Sequence, residues 1–160
     1  MKLGKTIAVA IGTAVLWQAL PTDAAAQPLT EVTGFGTNPG NLRAFKVVPQ
    51  GLPASPPLVV ALHGCTQTAS NYDNETGWVK YANMGKFVLL LPEQQRANNQ
   101  QLCFNWFESG DIQRDQGEAL SIKHMIDKMV SDHNVDPKRI YITGLSAGGG
   151  MTAVINPAIQ

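Results

Sequence analysis

The stretch that most constrains the fold is Gly144-Leu145-Ser146-Ala147-Gly148, which matches the pattern G-x-S-x-G. A β-branched and aromatic run at residues 139–143 precedes it and predicts a buried strand, whereas residues 149–154 can continue as a helix. A sharp turn from strand into helix exposes the middle serine at the carboxyl end of the strand. The flanking glycines are expected because a Cβ in so tight a turn would collide with neighbouring backbone. The pattern alone also suits a glycine-rich turn that contains a serine by chance, but the flanking elements favour a nucleophile elbow.

A serine hydroxyl attacks a carbonyl only when a histidine takes its proton, and the transition state needs two N–H donors for the oxyanion. The Ala147 N–H is one predicted donor, because it lies at a helix N-terminus. The second is expected from His63-Gly64-Cys65, which follows an apolar run in the position that supplies this donor in the α/β-hydrolase plan. The Cys65 N–H is the first candidate and the Thr66 N–H the next. For His63 we favour a structural role in bracing the turn over a role as the base.

The remaining pattern predicts strands that alternate with helices. Strands are expected at 44–48, 58–62 and 87–91, and helices at 71–83 and from Asp115 to about Asn134. The second helix has an apolar face at 3.6-residue spacing, and Asp115 with Glu118 has the form of a capping box. Residues 27–41 and 93–111 are expected to be irregular. This alternation predicts an α/β fold, the N-terminal part of an α/β-hydrolase, with a mostly parallel sheet and flanking helices.

The first 26 residues have the pattern of a cleaved secretory signal. Two lysines precede a short apolar run, and Ala24-Ala25-Ala26 has the small residues that a signal peptidase reads. The run is too short for a membrane span, which needs about twenty apolar residues. We therefore expect a secreted protein, extracellular or periplasmic, with one partial esterase domain at residues 27–160 and no membrane association after cleavage.

Composition removes several function classes. Twelve basic residues balance twelve acidic ones, so no basic field favours nucleic acid. Charged residues make up 15 % and hydrophobic residues 44 % of the 160, as in a globular α/β domain. The spacing of the three histidines fits no zinc motif, and no metal or cofactor is expected.

Export also affects the interpretation of the two cysteines. In an oxidising compartment, Cys65 and Cys103 favour a disulfide over a metal site or a redox pair. Two free buried cysteines remain the alternative.

Three motifs together resemble one known family. Leu62-His63-Gly64-Cys65-Thr66-Gln67, Cys103-Phe104-Asn105-Trp106-Phe107 and 144–149, in that order, resemble the poly(3-hydroxybutyrate) depolymerase family, which is similar to feruloyl and acetylxylan esterases. The oxyanion loop before the serine resembles the type I catalytic domain. The resemblance implies that Ser146 is the nucleophile, that 63–65 is the oxyanion segment, and that a Cys65–Cys103 disulfide ties the loop around Trp106 to the oxyanion turn.

Members of that family continue well beyond the elbow, and their later strands carry the acid and the histidine of the triad. Residues 147–160 contain no Asp, Glu or His. The chain is therefore expected to be C-terminally truncated and to show little or no turnover as given. Without later strands, the strand before Ser146 would form an exposed apolar edge, through which self-association is expected.

The leading functional hypothesis is a secreted serine esterase that hydrolyses polyester or acyl ester bonds through an acyl-enzyme on Ser146. Feruloyl or acetylxylan esters are the alternative substrates. A non-catalytic secreted fragment that binds a polymer or glycan is the alternative from another class. For Trp106 and Phe107, substrate stacking and a hydrophobic plug under the loop are both open.

Overall fold

The structure, a computed structural model, describes residues 27–159, and their side chains through residue 155. The expected signal sequence lies outside the described residues. The elements in chain order are β1 (Thr30–Glu31), β2 (Arg43–Val47), β3 (Leu58–Leu62), α1 (Ala69–Thr76), α2 (Trp78–Gly85), β4 (Val88–Glu93), α3 (Gly117–His133), β5 (Ile140–Gly144) and α4 (Ala147–Ile159). No helix among these is long and apolar enough to cross a membrane.

The five strands form one mixed sheet in the order β1-β2-β4-β3-β5. Strands β4, β3 and β5 are parallel to one another, whereas β1 and β2 join as antiparallel strands. This confirms the predicted α/β class, with the parallel part confined to β4, β3 and β5. Because parallel strands end at the same edge, Leu62 of β3 and Gly144 of β5 are register partners, which brings the two motifs together.

Helices cover both faces of this sheet. Alternate residues of β3 point to opposite sides, so that Leu58, Val60 and Leu62 pack with α3 and α4, and Ala61 packs with α1 and α2. The first face holds the larger core, which includes Met125 of α3. Each fully buried Leu or Met side chain contributes about 1.5–3 kcal/mol of hydrophobic stabilisation. This packing holds the start of α4 against the end of β3.

Three local predictions are wrong. Residues 71–83 do not form one helix, because Gly77 adopts a left-handed φ of 76° and divides the segment into α1 and α2. The leader at 27–41 is not wholly irregular, because β1 pairs with β2. The capping box is also wrong: α3 begins at Gly117, and the Glu118 N–H donates to Oδ1 of Asp111 at 3.1 Å instead.

Strand β5 lies at one edge of the described sheet. Its Tyr141 side chain is 56 % exposed, and Ile140 and Ile142 are half-buried. Self-association through this edge stays a prediction.

Candidate active site

Ser146 lies in a tight turn between the end of β5 and the start of α4. Its φ is +53°, in the left-handed region that non-glycine residues rarely adopt. The Leu145 N–H donates to the Leu62 carbonyl at 3.1 Å, which ties the turn to β3. The Ser146 side chain is exposed. The strand, turn and helix that the pattern predicted are all present, and strain of this kind persists only where the surrounding structure holds it in place.

The two glycines of the turn are required by close backbone contacts. A Cβ on Gly144 would lie 2.4 Å from the Gly148 carbonyl carbon. A Cβ on Gly148 would lie 2.2 Å from the Leu62 carbonyl oxygen and 2.6 Å from that of His63. These are the collisions expected from the sequence. Because glycine has no Cβ and avoids them, α4 can start directly over the end of β3.

The predicted oxyanion segment, residues 63–65 (hereafter the oxyanion turn), lies directly beside Ser146. A Cβ on Gly64 would be 3.5 Å from the Ser146 Cβ. Among the described residues, neither the Cys65 nor the Ala147 N–H donates to a protein acceptor. The Thr66 N–H donates to the Gln101 carbonyl at 2.6 Å, which removes it as a donor. Of the three predicted donors, Cys65 and Ala147 are thus the two whose N–H groups keep no protein acceptor within the described residues.

Gln67 holds this turn in shape from both sides. Its Oε1 accepts from the Gly64 N–H at 2.8 Å, and its own N–H donates to the Gly64 carbonyl at 3.3 Å. Both bonds satisfy backbone groups that the turn would otherwise leave without partners. The turn is therefore held in place before any ligand arrives.

His63 is fully buried, and both of its ring nitrogens have partners. The Gln94 N–H donates to Nε2 at 3.1 Å, so the ring proton lies on Nδ1 and donates to the Gly64 carbonyl at 2.7 Å. Burial lowers the pKa of His63, which keeps the imidazole neutral. This is the arrangement of a residue that braces the turn.

The other two histidines lie far from the serine in the fold. His124 and His133 of α3 bond Thr37 and Lys46 respectively. Among residues 27–159, no histidine is within hydrogen-bond distance of Ser146 Oγ. The same residues contain no group of three or more His, Cys, Asp or Glu arranged to hold a metal ion.

A disulfide joins Cys65 to Cys103, with their Cα atoms 4.2 Å apart, which confirms the predicted pairing. It anchors the aromatic segment 103–107 to the oxyanion turn. The Trp106 ring lies over Gly150 of α4, where a Cβ would approach the ring to 2.7 Å. Phe107 packs edge-on against Trp106, with ring centroids 5.7 Å apart.

These aromatic side chains leave an apolar surface near the elbow. Trp106 is 45 %, Phe107 56 % and Leu145 49 % exposed. The side chain of this segment that fills the space under the loop is Phe104. It is fully buried and contacts the His63 ring at a centroid distance of 4.8 Å. Trp106 and Phe107 are therefore available to a ligand.

A buried polar network lies behind the oxyanion turn. Gln94, directly after β4, donates through Nε2 to a Glu118 carboxylate oxygen at 2.5 Å and to the Cys103 carbonyl at 3.1 Å. The other Glu118 oxygen accepts from the Asn105 N–H at 2.9 Å. Glu118 is fully buried, and desolvation, with Asp111 nearby, raises its pKa to about 7.

Comparison with known proteins identifies the family. The model for "Esterase PHB depolymerase" matches residues 43–159. The chain belongs to the PHB depolymerase esterase family.

Relatives within and near this family include a poly(3-hydroxyalkanoate) depolymerase C from Paucimonas lemoignei, 61 % identical over 79 % of this chain and 30 % of its own length. Acetylxylan esterase A from Emericella nidulans is 34 % identical over 79 % of this chain and 41 % of its own length. An acetyl xylan esterase from Aspergillus awamori superposes with a TM-score of 0.75 at 28 % identity, over 81 % of this chain and 46 % of its own. The structural likeness confirms the α/β-hydrolase fold, and the chain spans less than half the length of these relatives.

Sequence reasoning missed the roles of Glu118 and Gln94. Glu118 was assigned to a helix cap, but it precedes Ile122 and Met125 at spacings of four and seven on the buried face of α3. A carboxylate in register with an apolar stripe is the signal from which its burial could have been inferred. Gln94 offers no such signal, because its partners are distant in sequence.

The disulfide leads to the first prediction. Replacing Cys65 and Cys103 together by serine is expected to lower the free energy of unfolding by about 4 kcal/mol, because the bond closes a loop of 38 residues in the unfolded chain. Urea unfolding of wild type and variant measures this difference. Dithiothreitol should destabilise the wild type by a similar amount and leave the variant unchanged. Equal unfolding midpoints for wild type and variant would contradict the prediction.

Glu118 leads to a prediction on pH. Its folded pKa of about 7 exceeds the ordinary 4.5. Between these two pH values, Glu118 is therefore protonated in the folded state and ionised in the unfolded state. This contribution to stability is complete below pH 4.5 and is lost as the pH rises to about 7, a change of about 3 kcal/mol. The lowered pKa of His63 makes its contribution to stability rise with pH instead. The test therefore compares wild type with a Glu118 variant, because the His63 contribution is common to both. We expect the stability gap between wild type and Glu118→Gln to change by that amount between pH 4.5 and 7.5; a constant gap would refute it.

Proposed function

We propose that this protein is a secreted serine esterase of the depolymerase type that cleaves ester bonds through an acyl-enzyme on Ser146. The observation that carries the proposal is Ser146 at φ +53°, exposed, beside two N–H groups that no protein acceptor uses within residues 27–159. Such donors stabilise the oxyanion that forms when a hydroxyl attacks a carbonyl. The N-terminal signal pattern and the disulfide support export.

The serine still needs a base. Since no histidine of the described residues contacts Ser146, we propose that the triad histidine and its acid come from chain outside residues 27–159. The described residues alone would then acylate slowly, with the oxyanion donors as their main contribution. Added imidazole would supply the missing base and accelerate that step.

Polyesters of 3-hydroxyalkanoates are the proposed substrate class. Support comes from the much higher identity to the depolymerase than to the acetylxylan esterase, 61 % against 34 %. The exposed apolar side chains beside the serine, Trp106, Phe107 and Leu145, also suit a water-insoluble aliphatic polyester. Acetylxylan and feruloyl esters remain the competing substrates.

The proposal is tested by mass spectrometry of the acyl-enzyme. The protein is incubated with p-nitrophenyl butyrate and imidazole, then digested. The peptide that contains Ser146 should gain one butyryl group, and 3-hydroxybutyrate oligomer esters should label it faster than feruloyl or acetyl-xylose esters. An unlabelled Ser146 peptide would refute the catalytic proposal, and faster labelling by the sugar esters would refute the substrate class.

A polar cleft favours glycan binding as a second candidate function. The cleft has a volume of about 1200 Å³, and amide and carboxylate side chains such as Asn99, Asn105 and Asp115 line it together with Phe107. Amides, carboxylates and an aromatic ring suit a hydroxyl-rich ligand. Retardation in xylan-containing gels that Phe107→Ala removes and Ser146→Ala leaves intact would support binding. Equal mobility with and without xylan would exclude it.

A further inference from the structure

The side chain of Gln94 forms four hydrogen bonds, which connect the loop after β4 to α3. Its Nε2 bonds Glu118 of α3 and the Cys103 carbonyl, and its Oε1 accepts from Asn98 Nδ2 at 2.7 Å and from the Gln95 N–H at 2.9 Å. Every hydrogen-bonding position of this buried amide is thus used. Its backbone N–H holds His63, so the oxyanion turn depends on where Gln94 lies.

Glu118 controls this arrangement from α3. One carboxylate oxygen fixes the Gln94 amide, and the other accepts from the Asn105 N–H, one residue before Trp106. The same carboxylate therefore supports two segments beside Ser146. It supports the oxyanion turn through Gln94 and His63, and the aromatic segment 103–107 through Asn105. No other side chain of the described residues hydrogen-bonds both Gln94 and Asn105.

We propose that Glu118 is a positioning residue of the esterase site: its ionised carboxylate places the Cys65 N–H and the Trp106 ring against Ser146, and its protonation loosens both. The proposal rests on the function proposed above. Both oxygens face N–H donors, so a proton on either oxygen meets a donor where an acceptor is needed. The proton exchanges between the two oxygens, so each hydrogen bond is weakened for part of the time and both segments loosen.

The surroundings of Glu118 keep it close to this change at neutral pH. From the preceding loop, Asp111 faces it with a like charge. His63, which is buried and neutral, directly follows β3. Glu93, which is the last residue of β4, is paired with Arg43 at 3.2 Å. Burial raises the pKa of Glu118 to about 7, so the network changes within the ordinary working range of an esterase.

The leader supplies no charge to this site. Gly40 packs its backbone on Glu118, and a Cβ there would lie 2.6 Å from the Glu118 Cα. The leader therefore closes the network against solvent without adding a titrating group of its own.

The first test compares Glu118→Gln with Asp127→Asn, which removes a carboxylate from the exposed side of the same helix. With p-nitrophenyl butyrate and imidazole, we expect Glu118→Gln to lower the saturating acylation rate about 10- to 100-fold, as expected for a misplaced oxyanion donor, and to change the half-saturating concentration by less than about 2-fold. After each rate is divided by the concentration of neutral imidazole, the rise of the wild-type rate near pH 7 should also be absent from Glu118→Gln. Asp127→Asn should match the wild type. An unchanged rate and pH profile in Glu118→Gln would overturn the proposal.

The second test needs no catalysis and no Glu118 variant. Trp106 fluorescence and its quenching by acrylamide are followed from pH 5.5 to 8.5, with Trp106→Phe to identify the signal. A transition near pH 7 that Trp106→Phe lacks supports the positioning role, and its absence in wild type overturns it. If wild type shows the transition but Ser146 does not acylate, the proposed function fails and the positioning of the Trp106 segment stands.

Discussion

Replacing Ser146 by alanine is expected to lower the imidazole-assisted rate of ester hydrolysis to the background rate of imidazole alone, because Ser146 is the proposed site of the acyl-enzyme. The Ser146 side chain is exposed beside the free Cys65 and Ala147 N–H groups. Alanine removes the attacking oxygen and leaves those donors in place. Release of p-nitrophenol from p-nitrophenyl butyrate, with imidazole present and the rate of imidazole alone subtracted, measures the loss.

Stability serves as the internal control for this variant. Alanine at φ +53° is strained about as much as serine, so Ser146→Ala should unfold at the wild-type urea midpoint. Ser146→Gly should instead be more stable by about 1 kcal/mol, because glycine adopts this φ freely. Ser131→Ala, on the exposed side of α3, should keep the wild-type rate. A rate in Ser146→Ala equal to that of Ser131→Ala would remove Ser146 as the nucleophile.

Replacing Gly148 by alanine is expected to lower the free energy of unfolding by at least about 4 kcal/mol. The added Cβ would lie 2.2 Å from the Leu62 carbonyl oxygen, which is backbone of a central strand and cannot yield. The start of α4 must therefore move away from β3, and Met151 and Ile155, both fully buried, lose their packing. Urea unfolding followed by circular dichroism measures the loss.

The same displacement would carry the Ala147 N–H away from the serine, so the acylation rate of any folded Gly148→Ala protein should fall about 100-fold. Gly110→Ala is the matched control for stability, because its Cβ would meet nothing within 4 Å. The steric explanation is wrong if both variants unfold at the same urea concentration.

The parts of the site that local sequence controls were predictable. The strand at Leu58–Leu62 was predicted with its exact bounds, because a continuous apolar run between a proline-rich loop and a polar turn has few other solutions. The elbow was predictable from the G-x-S-x-G pattern between a strand and a helix, although the collision that requires glycine at 148 involves the end of β3. The disulfide followed from the export pattern and the count of two cysteines.

The parts that depend on distant partners were not predictable. Thr66 remained a candidate donor until the Gln101 carbonyl, 35 residues later in sequence, was found to occupy its N–H. Glu118 was interpreted as a cap, because Asp111, which satisfies the start of α3, lies outside the first turn of that helix. The division into α1 and α2 at Gly77 was not predicted either. A glycine within a helical pattern ends the helix only when nearby groups satisfy the freed backbone, as Asp73 does here.

The sequence by itself predicted the strands and the turn that carry the candidate site, since strand periodicity and a serine between glycines after a strand are local features. Only the tertiary structure decided which N–H groups are free, where His63 points and why Glu118 is buried. These depend on which carbonyls and side chains arrive from other segments, because a buried polar group takes whichever partner the packing brings within hydrogen-bond distance.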